Sequence, residues 1–316
     1  MRTVFLYAGQ GSQKVGMGKD LYERFSTYRE TIDEVEKTIQ VKELMHEGPM
    51  EKLTLTENTQ PCMAAFAAGV TAVLKENGIA PDATCGLSLG EYGALHAAGV
   101  FDAKTYVDLV AFRGKAMAEA AEGKSCSMSA VLGMDKTIVE EACKECQDAG
   151  YVTLVNYNCP GQYVICGDEE AVAKTEEWLK EHGAKRCIRL NVSGPFHTKY
   201  MAPAAEKLMQ KMQETKFTAP QIPVVLNVTG DFYKEDADLK DMLQKQIQNG
   251  VHFEESIAKL LEEGATTFIE IGPGNTLSGF VKKTAKALGK EATCVTIDTA
   301  DDLNNLLENK GEYIRG

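Results

Sequence analysis

The apolar run from Thr3 to Tyr7 has strand length and no alternation, the pattern of a strand buried on both faces of a parallel sheet. It empties into a glycine-rich turn, Ala8-Gly9-Gln10-Gly11-Ser12-Gln13. Helical periodicity follows near Leu21 to Ile39 and again from Pro61 to Asn77, where Pro61 suits a first helical turn. A short apolar segment then runs into Cys85-Gly86-Leu87-Ser88-Leu89-Gly90-Glu91-Tyr92, and a helix carrying Leu89, Tyr92, Leu95 and His96 leaves it, stopped at Gly99. Lys104 to Ala121 is a further amphipathic helix.

The pattern changes near Ser125. Ser127–Leu132 reads as a strand, and Asp135 caps a helix carrying Ile138, Val139, Ala142 and Cys143. Tyr151–Asn156 and Gln162–Cys166 read as strands joined through Asn158-Cys159-Pro160-Gly161. Asp168 caps a second helix, through Val172, Trp178 and Leu179 to Gly183, and Cys187–Leu190 is a last strand. The order βαββαβ is that of a ferredoxin-like unit. After Asn191 the first pattern resumes, with strands at Ile222–Val228, Thr267–Ile271 and Cys294–Ile297 and helices at Ala204–Met212 and Phe253–Glu263; Asp231–Asp241 reads as a solvated loop and helix start. The expected fold is therefore α/β: a mostly parallel sheet domain, residues 1–124 and 192–316, with a ferredoxin-like subdomain, residues 125–191, inserted in it.

Composition narrows the partners. A chain of 316 residues, 44% hydrophobic, can bury a full core, and a net charge of −12 argues against nucleic acid as a general partner. The nine cysteines are scattered without metal-site spacing, Cys143-x-x-Cys146 having no second pair, which suits free thiols in a reducing compartment. Met1 to Tyr7 is too short in its apolar part for a signal peptide, and the Ala64–Leu74 stretch is about half a membrane span. A cytoplasmic monomer without a membrane partner is expected.

Candidate chemistry centres on Gly86-x-Ser88-x-Gly90. Between a strand and a helix this pattern lifts a serine hydroxyl above a sheet on a tight turn, with the helix N-terminus behind it; elsewhere it is an ordinary glycine-flanked turn. A nucleophilic serine needs a base, and there are five histidines. His182 sits in a helix's last turn, His46 in a polar loop and His96 inside the helix after Ser88. His197, in the turn-rich Ser193-Gly194-Pro195-Phe196-His197 where the chain re-enters the large unit, is favoured over His252, which could instead act with Asp231 or Asp236. Gly9-Gln10-Gly11 fails as a dinucleotide fingerprint, because Lys14 stands where the third glycine belongs. Either it is a plain turn or a backbone N–H there joins that of Leu89 to bind an oxyanion. Arg113 shares an apolar face with Tyr106, Val110 and Met117, so its guanidinium needs an internal carboxylate or a substrate that supplies one.

Taken with Thr59-Gln60-Pro61, Arg113-Gly114-Lys115, Asn158-Cys159-Pro160-Gly161-Gln162, Gly194-Pro195-Phe196-His197 and Glu270-Ile271-Gly272-Pro273-Gly274, these motifs make the chain, to about Lys283, resemble the malonyl-CoA:acyl-carrier-protein transacylases of type II fatty-acid synthesis. That family is related to the acyltransferase domains of polyketide synthases. The resemblance implies a hydrolase-like large domain and ping-pong transfer of a malonyl group from malonyl-CoA to the phosphopantetheine thiol of acyl carrier protein. It makes Ser88 the nucleophile and His197 its base, with the backbone N–H groups of Gln10 and Leu89 as the oxyanion hole. Arg113 would hold the malonyl carboxylate, with Phe196, Gln60 and Met117 completing the substrate pocket. No metal or other cofactor is implied.

Two positions depart from the family pattern. Leu87 stands where histidine commonly precedes the serine, and His252, after Asn249-Gly250-Val251, matches the position whose backbone carbonyl orients the catalytic histidine, often a glutamine. An acidic carrier would need a local basic dock, at Lys185, Arg186 and Arg189 or at Lys282 and Lys283. The alternatives are an acyltransferase serving a polyketide synthase, a serine (thio)esterase, and a silent member that only binds.

Overall fold

The structure, a computed structural model, describes residues 2–191 and 194–313. Ser193 of the sequence motif lies outside the described residues. Eleven strands occur among them: β1 (Thr3–Tyr7), β2 (Ala83–Gly86), β3 (Cys126–Leu132), β4 (Val152–Cys159), β5 (Gln162–Asp168), β6 (Arg186–Arg189), β7 (Val225–Leu226), β8 (Asp231–Phe232), β9 (Val251–His252), β10 (Thr267–Ile271) and β11 (Thr293–Ile297).

The α/β architecture read from the sequence is present, and its central sheet is parallel throughout. Its four strands run in the order β11-β10-β1-β2, with Thr84 bridged in parallel to Val224 beyond β2. Every residue of β1 and β10 is buried, because helices cover both faces. Strands β1, β2 and β10 end on one side, so the turns after Tyr7, Gly86 and Ile271 converge there, where open α/β sheets collect ligands.

Between Ala121 and Gly194 the chain builds a second sheet. Strands β6-β3-β5-β4 lie antiparallel, with β3 and β5 buried along their middles and β6 exposed at the edge. Beyond them β9, from the returning chain, pairs in parallel with β4 through Asn156–Val251 and Tyr157–His252. This pairing takes His252 out of contention as a base: its ring stacks on Tyr157 at 4.5 Å between centroids, and its Nδ1 faces Glu255.

Several local expectations give way to tertiary contacts. The single helix near Leu21–Ile39 is two, Lys19–Arg24 and Ser26–Glu36, because Phe25 adopts an extended conformation that turns its ring against the core. The helix expected from Pro61 begins at Thr56, so Pro61 lies inside it; extending the helix backwards brings Thr56 and Gln60 against a neighbouring helix. The strand expected at Ile222–Val228 shrinks to Val225–Leu226, since Asn227 directs its backbone N–H to Glu91 instead of a ladder. Asp135 and Asp168 occupy N-cap positions without capping through their side chains. The Asp168 carboxylate accepts from Tyr151 N at 2.7 Å and from the Tyr200 hydroxyl at 2.8 Å instead.

The Ala103–Ala121 helix packs closely on Thr56–Glu76. A Cβ on Gly114 would stand 2.9 Å from the Thr56 carbonyl oxygen, so the glycine permits the approach that brings Arg113 to Gln60. No helix among the described residues is long and apolar enough to cross a membrane.

Candidate active site

Ser88 occupies the turn between β2 and the Gly90–Ala97 helix with φ 55°, a left-handed conformation for a residue with a side chain. Such a backbone persists only when its surroundings hold it, at a cost of about 1–3 kcal/mol. Two glycines make room. A Cβ on Gly86 would sit 2.0 Å from the Gly90 carbonyl carbon, and one on Gly90 would sit 2.1 Å from the Tyr7 carbonyl oxygen. Both are collisions with backbone, so neither position takes even alanine without moving the turn.

Polar contacts from the C-terminal half lock the turn. The Asn227 side chain accepts from Ser88 N at 2.7 Å and donates to the Gly86 carbonyl at 2.7 Å. The Asn227 backbone N–H donates to Glu91 Oε2 at 2.5 Å, and Gln246 Nε2 donates to the Ser88 carbonyl at 2.7 Å. Asn227, Gln246 and Glu91 are all fully buried. Burial pushes the Glu91 carboxyl up to about 8, opposed by the Asn227 N–H and the positive charge of Arg113.

His197 Nε2 lies 2.8 Å from Ser88 Oγ. The ring is 5% exposed, and φ 60° turns it into the cleft. Its Nδ1 lies 2.8 Å from the backbone carbonyl oxygen of Gln246; since a carbonyl only accepts, Nδ1 carries the proton and Nε2 presents its lone pair to the serine. The orienting carbonyl is therefore at Gln246, six residues before the His252 expected from the resemblance. The reason is local: Gln246 ends the Leu239–Gln246 helix, whose last carbonyls have no helical partner, whereas His252 is held in β9. Burial first, and the Arg113 charge second, push the His197 imidazole down to about 4, so it is neutral at ordinary pH.

Arg113 is fully buried in the same site. It donates through Nη1 to Gln60 Oε1 at 2.7 Å, and through Nη2 to Gln246 Oε1 at 3.0 Å and Ser88 Oγ at 3.1 Å. Its guanidinium carbon stands 5.4 Å from the Tyr92 ring centroid. Among the described residues no carboxylate lies within ion-pair distance of it, which disposes of the structural-pair reading of this arginine. Its partners are neutral, two amides and a hydroxyl, while its buried Nε–H has no partner among the described residues, so its charge is left to act on whatever occupies the cleft.

The cleft is a cavity of about 260 Å³. Gln10, Leu89, Gln60, Met117 and Phe196 all line it, as do Ser88, Arg113 and His197, so the structure brings together the residues named through the resemblance, while His252, Asp231 and Asp236 are not among its lining. Gln60 Nε2 also donates to the Met117 sulfur at 3.4 Å, and Gln10 Nε2 to Thr56 Oγ1 at 3.0 Å. Leu87, beside the nucleophile, contributes an apolar wall. Met128, Asn156 and Val164 of the antiparallel sheet form the opposite side.

With that geometry in view, residues 4–312 match the acyl transferase domain family. The chain belongs to it. Within this family it is 46% identical over 290 residues to the malonyl CoA-acyl carrier protein transacylase of Bacillus subtilis (strain 168), covering 91% of this chain and 92% of that one. It is 37% identical over 291 residues to the enzyme of the same name from Escherichia coli (strain K12), covering 91% and 94%. Among solved structures, the malonyl CoA-acyl carrier protein transacylase of Clostridium perfringens superposes with a TM-score of 0.93 at 38% identity, covering 99% and 98%. A malonyl-transacylase solved with its type II PKS acyl-carrier protein superposes at 0.92 with 36% identity, covering 98% and 100%.

Sequence reasoning missed three residues that hold this candidate site: Glu91, Asn227 and Gln246. Two left a trace. Gln246 shares the face of Leu239 and Leu243 at helical spacing, and Asn227 interrupts the apolar run Val224-Val225-Leu226. The same mismatch of polar residue and apolar face singled out Arg113.

Proposed function

We propose that this chain transfers a malonyl group from malonyl-CoA to the phosphopantetheine thiol of acyl carrier protein, through an ester on Ser88. The observation that carries the reading is Arg113: a buried guanidinium, without a carboxylate partner among the described residues, 3.1 Å from the candidate nucleophile. Its planar fork suits a carboxylate, and malonyl is an acyl group that bears one.

In the first half-reaction Ser88 Oγ attacks the thioester carbonyl carbon while His197 Nε2 takes its proton. The tetrahedral oxyanion is held by the backbone N–H groups of Gln10 and Leu89. The carbon–sulfur bond then breaks, and His197 returns the proton to the CoA sulfur. In the second half the carrier's thiol gives its proton to His197, its sulfur attacks the malonyl ester, and Ser88 regains the proton as it leaves. Gln60 and Gln246 hold Arg113 against the malonyl carboxylate, and Phe196 and Met117 close the space beside it.

Residues 1–124 and 192–316 form the hydrolase-like domain in this reading, and residues 125–191 a ferredoxin-like insertion. The strand order β6-β3-β5-β4 supports the latter. For the carrier, Arg189 is already engaged by Glu169 and Glu176 at 2.9 and 2.8 Å, which disfavours that cluster. Lys283 donates to the neutral Gln162 at 3.1 Å, three residues after Phe280 of the cavity wall, so the Lys282–Lys283 side is the better dock for an acidic carrier.

Intact mass after brief mixing with malonyl-CoA, followed by peptide mapping, tests the reading. A single malonyl adduct on the Ser88 peptide, discharged by added carrier protein, is expected. Continuing CoA release without an adduct overturns it in favour of a hydrolase.

A further inference from the structure

A second cavity, of about 730 Å³, lies at the opposite end of the nucleophile's helix. Ser88 precedes the N-terminus of the Gly90–Ala97 helix; His96 and Ala97 at its C-terminus line the second cavity. Eight residues separate the two ends, about 12 Å of helix. Its lining includes Phe5, two residues before Tyr7 on β1, Ala68 and Ala72 of the Thr56–Glu76 helix, and Phe101. The space exceeds the 260 Å³ catalytic cleft and falls in the range of small-molecule sites.

Its charge is the opposite of the protein's. The chain carries −12, yet the formally charged lining residues are Lys75, Lys216 and Asp102, which sum to +1. Asp102 is occupied: its carboxylate caps the Ala103–Ala121 helix, accepting from Thr105 N at 2.8 Å. Lys75 and Lys216, both exposed, make no ion pair or side-chain hydrogen bond among the described residues. His96 is committed as well, with Nδ1 2.9 Å from the Phe101 carbonyl oxygen and its ring stacked on Tyr106. The cavity thus combines an apolar interior with two uncommitted cations at its edge.

We infer that this cavity binds an amphiphilic monocarboxylate, with the apolar tail over Phe5, Ala72 and Phe101 and the carboxylate between Lys75 and Lys216. Neither part suffices alone. An apolar molecule without charge forgoes both lysines, and a short anion forgoes the interior.

Titration calorimetry of the intact protein with octanoate, octanol and acetate tests this. Expected is saturable one-site binding of octanoate, about tenfold or more tighter than octanol, with no saturation by acetate. Lys75→Gln with Lys216→Gln should erase the preference of octanoate over octanol. Ala72→Trp, which fills the cavity from a half-buried position, should abolish octanoate binding while malonyl loading of Ser88 continues. Malonyl-CoA should not displace octanoate, and Arg113→Ala should bind it normally. Absence of saturable binding overturns the inference, as do displacement by malonyl-CoA and equal affinity for octanol and octanoate. The lysine variants alter exposed side chains only and keep the test decisive should Ala72→Trp fail to fold.

Discussion

The Gln246 carbonyl oxygen lies 2.8 Å from His197 Nδ1, while the Gln246 side chain bonds Arg113 and the Ser88 carbonyl at 3.0 and 2.7 Å. One residue therefore holds the candidate base by its backbone and the candidate carboxylate-binding group by its side chain. These two functions separate under mutation. Gln246→Ala keeps the carbonyl and removes the amide, so the rate of Ser88 acylation at saturating malonyl-CoA should change less than KM. A loss confined to kcat, with KM unchanged, would contradict this division.

Arg113→Ala should shift acyl selectivity from malonyl towards acetyl. Charge-assisted hydrogen bonds are worth about 1.5–3 kcal/mol, which is roughly 10- to 150-fold in kcat/KM for malonyl-CoA. Competition between malonyl-CoA and acetyl-CoA, read as the mass of the Ser88 adduct, measures it. Unchanged selectivity removes Arg113 from this role.

The acid limb of acylation should lie low. His197 is pushed down to about 4 from 6.5, so it stays unprotonated and able to accept the serine proton well below the usual histidine range. Ser88 malonylation should stay flat from about pH 7 to about pH 5 and fall only towards pH 4. Arg113→Met removes one of the two causes of the depression, so its limb should move to higher pH. A limb near 6.5 in the unsubstituted protein would show that the imidazole is not desolvated.

His197 and Glu91 should tilt the pH dependence of stability in opposite senses. The unfolded chain binds the His197 proton near 6.5 and the folded one only near 4, so this contribution is full above 6.5 and is lost as pH falls towards 4. Glu91 is raised from 4.5 to about 8 in the folded protein; its contribution is full below 4.5 and is lost as pH rises through 8. Glu91→Gln should therefore flatten the loss of denaturant stability on the alkaline side, and His197→Gln the loss on the acid side. Parallel stability curves for Glu91→Gln and the unsubstituted protein would refute the protonated Glu91.

Gly86→Ala should be among the most damaging single-methyl additions. The new Cβ would meet the Gly90 backbone at 2.0 Å, which no rotamer change relieves. Overpacking of this kind costs about 1–3 kcal/mol, and shifting the turn also breaks the Asn227 bonds to Gly86 and Ser88. Thermal unfolding and Ser88 acylation should both suffer, whereas Gly279→Ala, at an exposed helical position where a Cβ meets nothing within 4 Å, should leave acylation intact.

The periodicity of the sequence carried the α/β class, the strands β1 and β10, the serine turn and the mismatch that made Arg113 conspicuous, because burial on both faces and helical spacing are written in neighbouring residues. The resemblance carried by the local motifs named residues, from Gln10 to Phe196, that line a single cavity. What neighbours cannot encode is which distant backbone a side chain meets. Asn227 lies 139 residues from Ser88, and Gln246 reaches Ser88 across 158, so no local pattern says that they lock the same turn. The misplacement of the orienting carbonyl at His252 has the same origin. A carbonyl is present at every residue, and only the packing of the Leu239–Gln246 helix end against His197, with His252 drawn away into pairing with β4, selects the one that serves.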